Sequence, residues 1–308
     1  MPEVSIIMST YKEPVELLRL SIDSILNQTY DQFEFIIVID SPDNTSLIAE
    51  LERYASKDFR IVLLKNQTNI GLTASLNRAL KVASGYLIAR MDADDIAEAD
   101  RLEKQISYLE RYQLDLVGCE MRRISEDGTV IDELTNKTYA PEVVMKLLKY
   151  DDCVAHPSWL VKRSVYDEFN GYKEIFSCED YYFLLRALYH GKRIGICDSI
   201  LMNYRINTKG ISRSNSLRQL LSAHYLQKHL KNIDKVTQRQ IECYLTGITE
   251  KQKVSYEKAV MQLNRIINRI KCRHYLSGLK LIRLPFQSKF ILLNYKKIFI
   301  MAIIKKMG

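Results

Sequence analysis

Short, continuous apolar runs alternate with stretches of helical periodicity over the first 91 residues, and this alternation restricts the fold more than any other feature. The apolar runs lie at residues 4–8, 33–39, 61–64 and 86–91. Because they are apolar at nearly every position, each strand is expected to be buried on both faces, as in a parallel sheet covered by helices. The pattern predicts a doubly wound, mostly parallel, Rossmann-like α/β layer.

The pattern changes after a helix predicted over residues 101–112. Residues 114–124 and 129–131 predict a hairpin with its turn at Asp127-Gly128. Beyond the hairpin, helices predicted at 141–148, 164–169 and 180–189 are followed by short strands at 193–197 and 201–206. From about Leu217 onward the chain is expected to be wholly helical. The sequence therefore divides into an α/β body and a helical C-terminal region.

Charge separates the same two regions. The chain carries a formal net charge of +8, yet residues 258–308 hold twelve Lys and Arg and no Asp or Glu, so the remainder is slightly acidic. A basic tail of this kind is typical of a protein that meets an anionic membrane or a nucleic acid. The six cysteines form no C-x-x-C pair, and no apolar leader opens the sequence. We therefore expect a cytoplasmic protein with reduced thiols.

Polar side chains follow the predicted strands, at the edge of the sheet where α/β folds bind ligands. Thr10, Tyr11 and Glu13 follow the first strand and Asp40 follows the second. An Asn-Ile-Gly turn at residues 69–71 precedes a helix whose free N–H groups can face an anion. A single Asp at a strand end is commonly a turn residue or a helix cap. Several such groups on one edge favour a binding site instead.

The fourth strand ends in Asp92-Ala93-Asp94-Asp95. Carboxylates this close repel one another, so the fold must neutralise them with a cation or leave them in solvent. Oxygen ligands suit Mg²⁺ or Mn²⁺, which proteins bind through one or two carboxylates together with substrate phosphates. We therefore expect a divalent-metal site, and the alternative is a solvated acidic turn in front of the next helix.

Residues of the second half allow two interpretations. Glu179-Asp180 opens a helix, where acidic side chains are favoured by the helix dipole, but a carboxylate there could also act as a general base. His156 and Trp159 could contact a substrate or serve the structure. Arg205 and Arg213 belong to a stretch that is either a phosphate-binding loop or an ordinary surface loop.

Taken in order, these motifs resemble glycosyltransferase family 2, which has the GT-A fold. The similarity is nearest to bacterial enzymes that build capsular, O-antigen or exopolysaccharide repeat units. It covers about residues 3–213 and is carried by Ser5-Ile6-Ile7-Met8-Ser9-Thr10-Tyr11, Phe35–Asp40, Asn69-Ile70-Gly71-Leu72, Ala89-Arg90-Met91-Asp92-Ala93-Asp94-Asp95, His156-Pro157-Ser158, Asn170-Gly171-Tyr172 and Glu179-Asp180. The resemblance implies a catalytic domain over residues 1–216, with a nucleotide-sugar half (1–112) and an acceptor half (113–216), followed by the helical region 217–308.

The resemblance also implies an activity: inverting transfer from a nucleoside-diphosphate sugar, usually a UDP-sugar, with Mn²⁺ or Mg²⁺. Asp94, together with Asp92, is the implied metal ligand, and Asp180, with Glu179 beside it, is the implied general base. Contacts with the nucleotide sugar are implied for Thr10, Tyr11, Glu13, Asp40, Asn69, Gly71, Arg78, Arg90 and Asp92. Contacts with the acceptor are considered for His156, Trp159, Arg205 and Arg213. Processive synthases carry a Gln-x-x-Arg-Trp signature that this sequence lacks, so we expect addition of a single sugar.

Basic side chains are interleaved with Phe, Tyr, Ile and Leu in residues 258–308, and no apolar run approaches the roughly 20 residues needed to span a bilayer. This composition fits helices that lie on an anionic membrane surface. Such helices would place a peripheral enzyme at the inner face of the cell membrane, next to a lipid-linked saccharide acceptor. A helical subdomain with a solvated basic face, or a contact between subunits, is the alternative.

Two other functions compete with glycosyl transfer. A sugar-phosphate nucleotidyltransferase has a similar sheet and a metal carboxylate, but it needs a glycine-rich loop with Arg and Lys after the first strand. The segment Tyr11-Lys12-Glu13-Pro14 has no glycine. An RNA- or membrane-binding module without catalysis would use the basic tail and leave the acidic motifs without a role. We expect no nucleic-acid partner.

Overall fold

The computed structural model describes residues 2–134, 139–175, 178–206, 216–271, 281 and 283–307. Four strands pair in parallel in the order β3-β2-β1-β4. They are β1 (Val4–Thr10), β2 (Phe33–Ile39), β3 (Ile61–Lys65) and β4 (Leu87–Arg90). The predicted α/β layer is confirmed. Because the strand order reverses at β1, a crevice for ligands is expected between the carboxyl ends of β1 and β4.

Helices cover both faces of this layer. The helices of the body are α1 (Val15–Leu26), α2 (Thr45–Ala55), α3 (Leu72–Val82), α4 (Arg101–Arg111), α5 (Pro141–Leu148), α6 (Arg163–Phe169) and α7 (Glu179–Tyr189). Within β2, Phe35 and Ile37 pack in the cluster that contains α1, α2 and α4. Ile36 and Val38, which point the other way, pack in the cluster that contains α3, α5, α6 and α7. Burial on both faces explains why the strand is apolar throughout.

The second half of the sheet is mixed. Its strands are β5 (Ile96–Ala97), β6 (Leu116–Ile124), β7 (Val130–Leu134), β8 (Leu160–Lys162) and β9 (Ile194–Arg205). β8 runs antiparallel to both β4 and β6, and β9 runs parallel to β6 and antiparallel to β5. The predicted hairpin is confirmed as β6 and β7. The two strands predicted at 193–197 and 201–206 are one strand, β9, because register shifts beside Glu120 let its pairing with β6 continue.

The described part of the C-terminal region is helical, as predicted. It consists of α8 (Ser216–Lys228), a 3₁₀ segment (Leu230–Lys235), α9 (Gln238–Leu245), α10 (Glu250–Lys271), α11 (Leu284–Gln287) and α12 (Ile291–Met307). It shares a hydrophobic core with α7, whose Tyr181, Tyr182 and Leu185 pack against it while Phe183 and Leu184 pack into the body. Among the helices that the structure describes, none combines the length and the apolar character needed to cross a membrane.

Candidate active site

The turn after β1 is organised by Glu13. Its Oε2 accepts a hydrogen bond from the Thr10 hydroxyl at 2.8 Å and another from the backbone N–H of Tyr11 at 2.7 Å. The side chain of Tyr11 remains 40% exposed, with the Lys12 ammonium 4.7 Å from its ring centroid. The turn therefore presents an aromatic face at the carboxyl end of the strand.

Asp40, directly after β2, holds the loop between β3 and α3. Its Oδ1 accepts hydrogen bonds from the Asn66 side-chain amide at 2.7 Å and the Ile70 N–H at 2.8 Å, and its Oδ2 accepts one from the Gly71 N–H at 2.9 Å. The Asn69 amide donates to the Asp40 carbonyl at 3.3 Å. Gly71 has a φ of +84°, a conformation that glycine adopts without steric cost. Most of the acceptor capacity of the Asp40 carboxylate is therefore used within the protein.

Arg78 belongs to the same network. Its guanidinium donates to the Lys65 carbonyl at 2.6 Å and to the Asn66 side-chain oxygen. The Asn66 amide also donates to the Ser75 hydroxyl at 3.0 Å. Asn66 was missed by the sequence analysis, although it directly follows β3 at the same edge of the sheet. The structure gives a shared role in one loop to Asp40, Asn69, Gly71 and Arg78. Their predicted contacts with the nucleotide stay predictions.

Arg90 and Asp92 form an ion pair at the end of β4. Arg90 is 1% exposed, whereas the side chain of Asp92 is 33% exposed, so the pair spans the boundary between the core and the crevice. The Ser21 hydroxyl of α1 donates to the Asp92 carbonyl at 2.9 Å and fixes the backbone there. Arg90 therefore orients the Asp92 carboxylate from the side of the core.

The remaining carboxylates of the acidic loop are crowded. Burial, together with the negative charges of Asp92 and Glu13, raises the pKa of Asp94 to about 6. Asp95 accepts a hydrogen bond at Oδ1 from the Arg205 N–H at 2.8 Å, but its buried Oδ2 has no partner in the described part of the chain. Burial, Asp92 and Asp94 raise the pKa of Asp95 well above its usual range. This loop is short of positive charge.

Arg205 stabilises the acidic loop through hydrogen bonds. It is 3% exposed, and its guanidinium donates to the backbone carbonyls of Asp94 at 2.8 Å and of Ser125 and Glu126 at 2.9 Å each. These contacts give Arg205 a structural role, and its contact with the acceptor stays a prediction. Arg213 lies outside the described residues.

His156 and Trp159 pack in the core, as the structural interpretation of the sequence allows. The His156 Nε2 lies 2.8 Å from the Tyr172 hydroxyl, which in turn lies 2.8 Å from the Tyr166 hydroxyl. Burial and the nearby charge of Arg90 lower the pKa of His156 well below its usual range, so the imidazole is neutral. Trp159 is 0% exposed and donates its indole N–H to the Val154 carbonyl at 2.8 Å. Their contact with the acceptor stays a prediction, and the structure gives both side chains internal partners.

Glu179 and Asp180 open α7, and both lie within the electrostatic reach of Asp92. Burial and the charge of Asp180 raise the pKa of Glu179 to about 7, with a further contribution from Asp92. Burial raises the pKa of Asp180, and Asp92 adds to the rise. Asp180 Oδ1 also accepts the N–H of Tyr181 at 2.7 Å, which fixes the carboxylate at the helix start. The fold thus brings the two acidic motifs within electrostatic reach of one another, although Asp92 and Glu179 are 87 residues apart in the sequence.

Comparison with known proteins identifies the family of this chain. The sequence model of the family described as Glycosyl transferase family 2 matches residues 5–169. The chain belongs to this family. Over 231 residues this glycosyltransferase is 34% identical to the O-antigen biosynthesis glycosyltransferase WbnJ of Escherichia coli, and the alignment covers 74% of the chain and 89% of WbnJ.

Two solved structures resemble the glycosyltransferase in fold. One is residues 1–349 of S. aureus TarS in complex with UDP-GlcNAc, with a TM-score of 0.59, 18% identity, and coverage of 99% of this chain and 90% of TarS 1–349. The other is the mannosyltransferase PcManGT from Pyrobaculum calidifontis in complex with GDP-Man and Mn²⁺, with a TM-score of 0.60, 16% identity, and coverage of 91% and 87%. The predicted family and GT-A fold are confirmed.

Proposed function

We propose that this glycosyltransferase transfers one sugar, with inversion at the anomeric carbon, from a UDP-sugar to a saccharide acceptor during assembly of a bacterial surface polysaccharide. The observation that carries the proposal is that the two acidic motifs lie within electrostatic reach of one another. Asp92 acts both on Asp94, in its own loop, and on Glu179 and Asp180 at the start of α7. Inverting transfer needs a stabilised leaving group and a base near the same carbon atom, and the two motifs can supply these. The kinship with WbnJ supports the polysaccharide role.

A divalent cation, Mn²⁺ or Mg²⁺, fits the acidic loop. The pKa of Asp94, about 6, reflects burial beside Asp92 and Glu13, and a bound cation would favour the ionised carboxylate. No three His, Cys, Asp or Glu side chains form a ready metal site among the residues described. Proteins commonly hold Mn²⁺ or Mg²⁺ through one or two carboxylates plus substrate phosphates. Asp94, with Asp92, would hold the ion, which supplies positive charge for the departing diphosphate.

The nucleotide would lie along the ends of β1 and β2. Tyr11 offers an exposed ring there, and Glu13 orders the turn that carries it. Asp40 fixes Gly71 at the start of α3, whose first N–H groups can face an anion. TarS is known in complex with UDP-GlcNAc, and PcManGT with GDP-Man. Of these two nucleotides we propose UDP.

Asp180 would act as the base. The acceptor oxygen attacks the anomeric carbon on the face opposite the diphosphate, the bond from that carbon to the diphosphate oxygen breaks, and the hydroxyl proton passes to the Asp180 carboxylate. Burial raises the pKa of Asp180, as suits a group that takes up a proton during the reaction. Glu179, with a pKa of about 7, can retain its proton and so limit repulsion beside the base.

The acceptor we propose is lipid-linked and is reached at the cytoplasmic face of the cell membrane. Helix α12 combines exposed apolar side chains with exposed lysines, and Phe286 of α11 is 89% exposed. The exposed side chains of α12 include Leu292, Lys296, Ile298, Phe299, Ile303 and Lys306. Basic and apolar groups on one helix suit adsorption to anionic lipid.

The test is a donor screen with purified protein, using several UDP-sugars and GDP-mannose in Mn²⁺, in Mg²⁺ and in EDTA. We expect one UDP-sugar to be hydrolysed slowly when metal is present and not in EDTA. Asp94→Asn should abolish this hydrolysis. Asp167→Asn is the matched control, since the Asp167 side chain is 66% exposed and forms an ion pair with Arg163 on α6. Hydrolysis of no donor with either metal would contradict the proposal.

A further inference from the structure

A cavity of about 570 Å³ opens between the body and the C-terminal helices. Its walls come from the segment after α5, the start of α7, and helices α8, α10 and α12. Asp180 is one of the lining residues, so the cavity reaches the carboxylate that we propose as the base. The C-terminal helices that form the opposite wall lie outside residues 5–169, the part of the chain that matches the family.

The wall near Asp180 is acidic. Asp151 and Asp152 line the cavity beside Asp180. The surrounding protein, the charge of Asp180 and then that of Asp151 raise the pKa of Asp152 well above its usual range. Lys297 of α12 forms an ion pair with Asp151 and so attaches α12 to this side of the cavity.

The wall formed by α8 and α12 is basic. His224 and Lys228 of α8 and Lys296 of α12 all line the cavity. Burial and then the positive charges of Lys228 and Lys296 lower the pKa of His224, which means that these groups from two helices converge. The cavity is therefore lined by a group of basic side chains from α8 and α12 as well as by the carboxylates near Asp180.

We propose that this cavity binds the acceptor, and that the acceptor carries a phosphate or diphosphate group held by Lys228, Lys296 and His224 while a sugar hydroxyl reaches Asp180. The inference rests on the proposed function, in which Asp180 is the base. An anion would relieve the mutual repulsion of the basic groups, and lysine binds phosphate as a point charge.

The size and the remaining lining support this assignment. Ligand cavities commonly measure roughly 300–1,000 Å³, so a volume of about 570 Å³ accommodates a sugar phosphate. Leu220, Leu293 and Ile300 add apolar surface beside the basic end. The same phosphate chemistry could therefore belong to a lipid-linked sugar or to a water-soluble sugar phosphate, and the experiment below separates the two.

The test is calorimetric binding of inorganic pyrophosphate to the full chain in EDTA, so that no metal at Asp94 contributes. We expect wild type to bind it and the double variant Lys228→Gln/Lys296→Gln to bind at least about tenfold more weakly, because two ammonium groups that pair with the phosphate oxygens are removed. The matched control is Lys231→Gln/Lys235→Gln in the 3₁₀ segment, whose lysines are exposed and do not line the cavity. The control lysines follow α8 directly in the chain, so they lie near Lys228 in the sequence. Thermal unfolding checks that each variant is folded.

A second readout follows the His224 imidazole by NMR. Pyrophosphate should raise the pKa of His224 in wild type, because a bound anion favours the imidazolium, and the double variant should show a higher pKa without any ligand. Equal pyrophosphate affinity of wild type and the double variant, or an unchanged His224 titration, would overturn the proposal.

Farnesyl diphosphate is used in the same binding experiment as a diphosphate that carries a lipid. Tighter binding of farnesyl diphosphate than of pyrophosphate supports a lipid-linked acceptor, and equal binding supports a soluble sugar phosphate; both require the two lysines. Binding of UDP with Mn²⁺ is measured on the same variants and should be unchanged. Failure of wild type to bind UDP would instead mean failure of the proposed function, which keeps the two outcomes distinct.

Discussion

Two loops at the same edge of the sheet differ in how well the protein satisfies their carboxylates. In the loop between β3 and α3, Asp40 accepts three hydrogen bonds through its carboxylate and Arg78 braces Asn66. In the acidic loop after β4, Asp94 has a pKa of about 6 because burial and neighbouring carboxylates oppose its ionisation, and Asp95 has a buried oxygen without a partner in the described structure.

The difference distinguishes carboxylates that stabilise the fold from carboxylates that are kept for function. A carboxylate whose hydrogen bonds are satisfied by the protein stabilises the fold, whereas an ionised, crowded carboxylate costs stability that a bound cation or protonation can recover. Functional sites commonly retain such destabilising groups. Substitutions in the two loops should therefore change stability in opposite directions, and substitutions of the acidic groups should affect activity most.

The largest effect is expected for Asp180→Asn. Removal of a general base reduces the rate by about 10²–10⁴-fold, while donor binding should be preserved because Asp180 does not hold the nucleotide in our account. Steady-state transfer and calorimetric UDP binding measure the two properties. Wild-type turnover in this variant would show that α7 does not supply the base.

In the satisfied loop, Asp40→Ala should lower the free energy of unfolding by about 2–3 kcal/mol, because three donors lose their acceptor at once. Urea unfolding measures the change. Asp43→Ala, at an exposed neighbouring position, is the control and should change stability by less than about 0.5 kcal/mol. A decrease below about 1 kcal/mol for Asp40→Ala would mean that the loop does not depend on this carboxylate.

In the acidic loop, Asp94→Asn should raise stability at pH 8 in EDTA by about 1–3 kcal/mol. The pKa of Asp94 in the folded chain, about 6, lies above its ordinary value. The stability that wild type has with Asp94 protonated is therefore fully present at low pH and is lost as pH rises through 6. The side-chain amide of the variant does not ionise, so the variant does not lose stability in this way. The advantage of the variant should disappear below about pH 4, and Mn²⁺ should stabilise wild type alone. A variant less stable than wild type at pH 8 contradicts the contrast between the loops.

The smallest effect concerns a satisfied carboxylate outside the site. Hydrogen bonds from Arg53 and then Arg19 lower the pKa of Glu50 to about 2, so its contribution is present above its ordinary pKa and is lost as pH falls toward 2. Because both arginines are nearly half exposed, Glu50→Gln should cost at most about 1 kcal/mol at pH 7 and less at pH 3. A cost that does not vary between these two pH values would argue against this ion pair.

The first half of the fold and its acidic loop were predictable from the sequence because the signals are local. A strand buried on both faces is apolar throughout, as β2 is, and the polar residue that ends the run marks the edge of the sheet. Asp92 and Asp94 are also close in sequence, so their mutual repulsion needs no knowledge of the fold. The match of the family over residues 5–169 confirms the predicted family.

Burial in the second half was not predictable in the same way. β8 is three residues long, too short for a periodic pattern, yet its pairing with β4 and β6 buries Trp159 beside it. Arg205 looked like a surface cation, but β9 turns its side chain toward carbonyls of the acidic loop and the hairpin. The cavity beside Asp180 depends on packing of α7 against helices that follow it by more than 25 residues. These contacts are long-range, and a single sequence does not report them.

The most direct measurement is calorimetric binding of UDP in Mn²⁺ and in EDTA to wild type, Asp94→Asn and Asp180→Asn. We predict binding to wild type and Asp180→Asn in Mn²⁺, and no binding to Asp94→Asn in Mn²⁺ or to any of the three proteins in EDTA. Equal affinity of wild type with and without the metal, or unimpaired binding by Asp94→Asn, would contradict a nucleotide site built on the acidic loop.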